Sequence, residues 1–235
     1  PSGIISEKAD TGVCTYTIPV GTIKYDATFE SLYGDSRTMT HNLAGAPSNT
    51  TLAGAEIPKG TNTIIWTATQ KIGGKEYSNT CSFNFTVIDL EPPVLVEPFE
   101  DIVENVDVNS CTKTYTLTPP TAKDNCSIPT AISITNNAPA TFIVGTTNVR
   151  WELKDEAGNS TIYFQKVTIN DNEAPVISNC PSAAISASAT GNNCQVNVSW
   201  PALVATDACS GVKSFTTSHA PGSLFDAGTT TVTYT

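Results

Sequence analysis

Gly60-Thr61-Asn62-Thr63-Ile64-Ile65-Trp66 returns as Gly145-Thr146-Thr147-Asn148-Val149-Arg150-Trp151 and again as Gly228-Thr229-Thr230-Thr231-Val232-Thr233-Tyr234. The offsets are 145−60 = 85 and 228−145 = 83 residues. Cys111 and Cys194 are also 83 apart, and a proline stands 13 residues before a cysteine three times, at Pro1, Pro98 and Pro181. A period of this size is one small domain and is too long for a solenoid unit. The chain therefore reads as three copies, at residues 1–90, 91–172 and 173–235. Cys14 to Gly60 is 46 residues, where Cys111 to Gly145 and Cys194 to Gly228 are each 34, so the first copy carries an insertion of 46−34 = 12 residues, expected within Lys24 to Thr51. In the second copy the repeated strand is followed by Asp155-Glu156-Ala157-Gly158-Asn159 and a last strand ending Val167-Thr168-Ile169. The third copy stops at Thr235, before any such strand, and is read as a piece of a longer polypeptide with an edge open to strand capture.

Inside each copy apolar and polar residues alternate, as in Cys81-Ser82-Phe83-Asn84-Phe85-Thr86-Val87 and Gln195-Val196-Asn197-Val198-Ser199-Trp200. That is the period of a half-buried strand. Thr, Val, Ile and Asn are plentiful, and 15 Gly with 15 Pro favour short strands joined by turns. The expectation is an all-β chain of tandem two-sheet sandwiches, antiparallel throughout, with Trp66, Trp151 and Trp200 as core anchors. The links Asp89-Leu90-Glu91-Pro92-Pro93 and Asp171-Asn172-Glu173-Ala174-Pro175 are short and stiff, which predicts domains arranged as a rod.

With 22 acidic against 12 basic residues the net charge is −10, which argues against nucleic acid and anionic lipid as partners. No apolar run reaches the length of a membrane span, so no membrane insertion is expected in this segment. Seven cysteines with neither a C-x-x-C motif nor Cys/His clusters point to disulfides and an oxidising, extracellular or cell-surface location. The two histidines, His41 and His219, fall in different copies and are assigned to loops, so no nucleophile triad forms. Zinc lacks a spaced ligand set, and the Gly-Thr runs precede strands rather than helices, the wrong setting for phosphate. The chain is read as non-enzymatic.

Cys180-Pro181, Trp200-Pro201, Thr206-Asp207-Ala208-Cys209, Ser218-His219-Ala220-Pro221-Gly222-Ser223, Phe225 and Gly228 to Tyr234 together resemble the hyalin repeat, or HYR module. The second copy shares Asp124-Asn125-Cys126, Gly145 to Trp151 and Asp155-x-x-Gly158-Asn159, whereas the first lacks the Asp-x-Cys element. The resemblance implies an immunoglobulin-like fold and an adhesive or stalk role. The extra cysteine pair is similar to modules of large secreted surface proteins of Bacteroidota, including gliding adhesins. The family has four cysteine slots. The second copy fills only the middle two, Cys111 and Cys126, which implies pairing within a copy: Cys111 with Cys126 and Cys194 with Cys209. Geometry leaves that open, because Cys194 and Cys209 could lie about 20 Å apart at opposite strand ends unless the chain folds back after Trp200. Cys14, Cys81 and Cys180 are not assigned partners within the chain.

In a sandwich of this kind the start of the first strand, the loop after the second and the loop before the last share one end. Asp89, Glu91, Asp124 and Asp155 are thereby expected to converge, and Asp171, Glu173 and Asp207 to repeat the arrangement one copy on. Converging carboxylates suit Ca²⁺, which takes six to eight hard oxygens; the competing reading is a solvated acidic hinge with turn-forming Asp residues. Function is expected as a structural or adhesive repeat making multivalent contacts with surface glycans or proteins and with neighbouring repeats. Two alternatives stand beside it: a carbohydrate- or protein-binding accessory module of a secreted enzyme, and a filament subunit completed by strand donation.

Overall fold

The structure, a computed structural model, describes residues 4–28, 36–189 and 194–235. Pro1 and residues 29–35 of the expected insertion lie outside them. The first copy contains strands β1 (Ile4–Lys8), β2 (Thr15–Thr17), β3 (Ser36–His41), β4 (Glu56–Pro58), β5 (Gly60–Ile72) and β6 (Lys75–Ile88). The second contains β7 (Val94–Leu95), β8 (Ile102–Asn105), β9 (Thr112–Lys113), β10 (Ala122–Lys123), β11 (Ser133–Asn136), β12 (Phe142–Ile143), β13 (Gly145–Lys154) and β14 (Ser160–Asn170). The third contains β15 (Val176–Ser178), β16 (Gln195–Val198), β17 (Val204–Thr206) and β18 (Ser223–Asp226). The one helical element among the described residues is a 3₁₀ turn at Pro129–Ala131, so the chain is all-β.

Two compact units divide the chain: Pro1–Phe99, Thr118–Asn136 and Arg150–Tyr163 form the first, and Glu100–Leu117, Asn137–Val149 and Phe164–Thr235 the second. In the first unit, the sheet β1-β6-β5-β3 faces the pair β2-β4. The alternation read from sequence is the burial pattern: Ile64 and Trp66 on β5 and Phe83, Phe85 and Val87 on β6 turn inward, meeting Ile18, Leu52 and Ile57. Tyr25 packs edge-on to Phe85 at 5.2 Å, and its hydroxyl donates to Glu7 Oε1 at 2.8 Å. The same unit holds β11 against the Trp151–Lys154 end of β13, with Phe99 stacked on Trp151 at 5.6 Å. In the second unit, β8 pairs with the Val167–Asn170 end of β14, β9 with β12, β15 with β17 and β16 with β18.

Three expectations need correction. The sandwiches are not antiparallel throughout: β1 runs parallel to β6 and β8 parallel to β14, because the first and last strands start at the same end and meet by crossing rather than by a hairpin. Trp66 and Trp151 are buried, but Trp200 is only half-buried; its Nε1 donates to Tyr234 Oη at 2.7 Å. His41 ends a strand rather than lying in a loop, and its Nε2 sits 2.9 Å from Ser48 O and 3.1 Å from Thr51 O, a structural anchor of the segment that follows.

Candidate functional site

Each unit contains one acid-lined linker together with the loops that grip it. In the first unit Asp89 leads the linker. Its side chain is fully buried, its Oδ1 accepts the Glu91 N–H at 3.2 Å, and its Oδ2 meets Lys59 Nζ at 3.3 Å. Glu91 turns away from Asp89, and its Oε1 accepts the Gly12 N–H at 2.9 Å. Gly12 has φ +77°, which aims that N–H outward at no steric cost to a residue without Cβ. Asp124 folds its own loop: Oδ2 accepts the N–H groups of Cys126 and Ser127, both at 2.8 Å, an Asx turn that fixes the cysteine. Asn125 Nδ2 donates to Val13 O at 3.0 Å. Asp155 Oδ1 accepts Gly158 N–H at 2.6 Å and Asn159 N–H at 2.7 Å, and Asn159 Nδ2 reaches Asp155 Oδ2 and the carbonyls of Asp89 and Glu91.

The second unit repeats this design. Asp171 Oδ1 accepts Glu173 N–H at 3.1 Å, and Glu173 Oε1 accepts the N–H of Asn109, again a residue of positive φ (57°) two places before a cysteine. Asp207 Oδ1 accepts N–H groups from Cys209, Ser210 and Gly211 at 3.0, 2.8 and 3.1 Å. The Cys209 N–H first, then those of Ser210 and Gly211, hold the Asp207 carboxyl below its usual range.

The disulfides do not follow the within-copy pairing. Cys14 is bridged to Cys126 and Cys111 to Cys209, with Cα separations of 4.7 and 5.0 Å. The cysteine that opens one copy's sheet pairs with the Asp-x-Cys loop of the next copy. Among the described residues Cys81, Cys180 and Cys194 are free and exposed. The physical reason lies in the glutamates: Glu91 and Glu173 each capture a backbone N–H two residues before the bridging cysteine, which brings the next copy's loop to it. The cue in the sequence was that Cys14 has no Asp-x-Cys partner within its own copy.

Of the acidic residues expected to converge, Asp89, Asp124 and Asp155 do so, with one carboxylate oxygen of each within 4.8 Å of the others. Glu91 is outside this group because Gly12 holds it, and Asp171, Glu173 and Asp207 form no such group among the described residues. Asp124 Oδ1 is buried with no hydrogen-bond partner.

All-β segments, sulfur-bridged across acidic linkers, define a β-sandwich repeat protein. The HYR domain is matched over residues 88–169 and 170–235, and the chain belongs to that family. HYR modules are non-catalytic and extracellular. Hyalin of Strongylocentrotus purpuratus is 31% identical over 238 residues, covering 97% of the chain and 20% of hyalin. Hyalin of Lytechinus variegatus is 30% identical over 229 residues, covering 95% of the chain and 42% of that protein. The chain thus spans less than half the length of either curated relative. Solved structures with related outlines include the protocadherin gamma B2 domains 1–5 (TM-score 0.37, 12% identity, 94% of this chain and 50% of that one) and Drosophila N-cadherin EC1-3 (0.35, 15%, 75% and 66%). No helix among the described residues is long and apolar enough to cross a membrane.

Proposed function

We propose that the chain is a non-catalytic segment of a long extracellular adhesin, built of three HYR-type repeats at 1–90, 91–172 and 173–235, that presents repeated weak contacts to surface glycans or proteins. The observation that carries this reading is the sulfur bridge from each bridged copy to the next, a device for holding repeats in series rather than for shaping a pocket. Many weak contacts along such a series add by avidity. Beads coated densely with the chain should adhere to glycan- or protein-coated surfaces, while the soluble chain competes poorly; beads that fail to adhere at any density would refute the reading. The finer placement we propose is a large secreted surface protein of the Bacteroidota kind with a part in gliding, tested by reading the parent gene and by the gliding of a deletion strain.

We further propose that Asp89, Asp124 and Asp155 hold Ca²⁺. Three carboxylates crowd together beside one ammonium, Lys59, and the buried Asp124 Oδ1 has no protein partner, so a hard divalent cation fits both the charge and the orphan oxygen. Bound there, the ion would neutralise the cluster and stiffen the link at Asp89. Calorimetry on the intact chain should detect Ca²⁺ binding that Asp124→Asn and Asp155→Asn together abolish, with faster proteolysis at Asp89–Pro93 in chelator. An intact chain that takes up no Ca²⁺ leaves these residues as an acidic hinge paired with Lys59 and hydrogen-bonded by the Asn159 amide.

A further inference from the structure

The hairpin of β5 and β6 runs past the core of the first unit. β5 and β6 are 13 and 14 residues long, where β13 and β14 are 10 and 11, so each strand is three residues longer. Gly73 and Gly74, at φ +58° and +81°, close the hairpin as a two-residue turn in place of the loop at 155–159. Two successive residues of positive φ match the right-handed twist of the strands they join, so the extension holds its shape. β3 follows β5 along it, from His41 opposite Trp66 to Ser36 opposite Lys71. Every residue of β6 at 75–82 is exposed.

Directly opposite residues of neighbouring strands share a face. On the face that carries Trp66, the registers set Met39, Ala68 and Asn79 in one row and Arg37, Gln70 and Tyr77 in the next. Ala68 stands two residues past Trp66, as Leu153 stands two past Trp151. Leu153 is fully buried, but Ala68 is half-buried and leaves a dip between longer neighbours. Tyr77 is 52% exposed, and Lys75 Nζ, in the row beyond, stands 5.5 Å from the centre of its ring. These rows hold two cations, Arg37 and Lys75, and no Asp or Glu, in a chain of 22 acidic and 12 basic residues. The opposite face sets Lys71 against Glu76, so the excess of positive charge belongs to the Tyr77 face alone.

We propose that this face binds a uronate-bearing polysaccharide, with a sugar ring against Tyr77 and carboxylates against Arg37 and Lys75. The inference rests on the glycan arm of the adhesive reading and names the glycan. A sugar presents C–H faces and hydroxyls together, which suits an exposed aromatic ring beside the Asn79 amide. The guanidinium of Arg37 can meet a carboxylate with two parallel N–H bonds, and the flexible stem of Lys75 lets its ammonium swing from the ring to a second one. Arg37 and Tyr77 lie two strands apart, about 10 Å at ~4.8 Å per strand, so a saccharide of a few rings spans the face. The net charge of −10 opposes such a ligand little at contact, because charges farther than about 8 Å are screened at physiological ionic strength.

The test titrates a short oligogalacturonate into the whole oxidised chain, followed by amide NMR in chelator so that no Ca²⁺ bridges sugar and protein. Shifts should concentrate at 37–39, 68–72 and 75–79. A cello-oligosaccharide of equal length has the ring faces without the carboxylates and should bind about tenfold more weakly. Tyr77→Ala should weaken oligogalacturonate binding by about tenfold. Arg37→Gln with Lys75→Gln should weaken it and flatten its dependence on salt, while Lys71→Gln on the opposite face should change neither. Shifts absent from this face, equal binding of the two sugars, or undiminished affinity in Tyr77→Ala would overturn the proposal. Shifts there with polyglutamate but not with the sugar would make the partner an acidic protein and overturn it as well. The titration reads this face and the bead assay reads adhesion, so a titration that fails while beads adhere leaves the adhesive reading standing, and the converse leaves the face standing.

Discussion

Asp124 and Asp207 perform the same task in successive copies, each collecting backbone N–H groups of the loop that carries the bridging cysteine. Replacing Asp207 by Ala should leave the loop without its acceptor and slow the formation of the Cys111–Cys209 bridge, read by alkylation of free thiols during oxidative refolding. The carboxyl is depressed below its ordinary value of 3.8 when folded, so its contribution is complete above that value and is lost as pH falls through the lower, folded one. Protection of the Cys209, Ser210 and Gly211 amides, taken relative to the intrinsic exchange rate at each pH, should therefore hold at pH 5 and fall only in acid below about pH 3.8. The Asp-x-Cys spacing made these two aspartates legible from sequence. Glu91 and Glu173 were legible as acids but not as captors, because their partners Gly12 and Asn109 lie 79 and 64 residues away and no local pattern records such a bond.

At the scale of the element, β13 shows how far alternation carries. Val149, Trp151 and Leu153 are buried and Thr146, Arg150 and Glu152 are not, as a period of two requires. Trp151→Ala should destabilise the chain by about 3–5 kcal/mol, the range for truncating a large buried aromatic, against little change for Glu152→Ala. A denaturant midpoint for each variant checks the contrast. Alternation says which face is buried but not which strand is the neighbour, so the parallel pairing of β1 with β6 was not legible. Trp200 was misread for a related reason. Its strand pattern predicts burial, but alternation does not report how far a side chain is covered, and Trp200 stays half-buried with its Nε1 donating to Tyr234 Oη.

For the whole molecule the decisive fact is that each bridge lies within one compact unit and joins cysteines 112 or 98 residues apart. Cysteine bookkeeping within a copy could not find this, since the family's slots carry no label for which repeat supplies the partner. Cys126→Ser should lower the stability of the first unit by about 2–5 kcal/mol, the range for losing a bridge that closes a long loop, and a reductant should act on the parent chain in the same direction. The two bridges also overlap in sequence, because Cys111 lies between Cys14 and Cys126. A pull applied between Cys14 and Cys209 then travels through one sulfur pair, back along the 126−111 = 15 residues to Cys111, and out through the second pair. The remaining chain in that interval bears no tension. Reduction would route the load through all 209−14 = 195 residues, releasing 195−15 = 180 residues of slack, on the order of 600 Å at about 3.4 Å each. Single-molecule pulling should show that length only in reductant, which makes the surrounding redox poise the setting of a tether that is short and taut when oxidised and long and yielding when reduced.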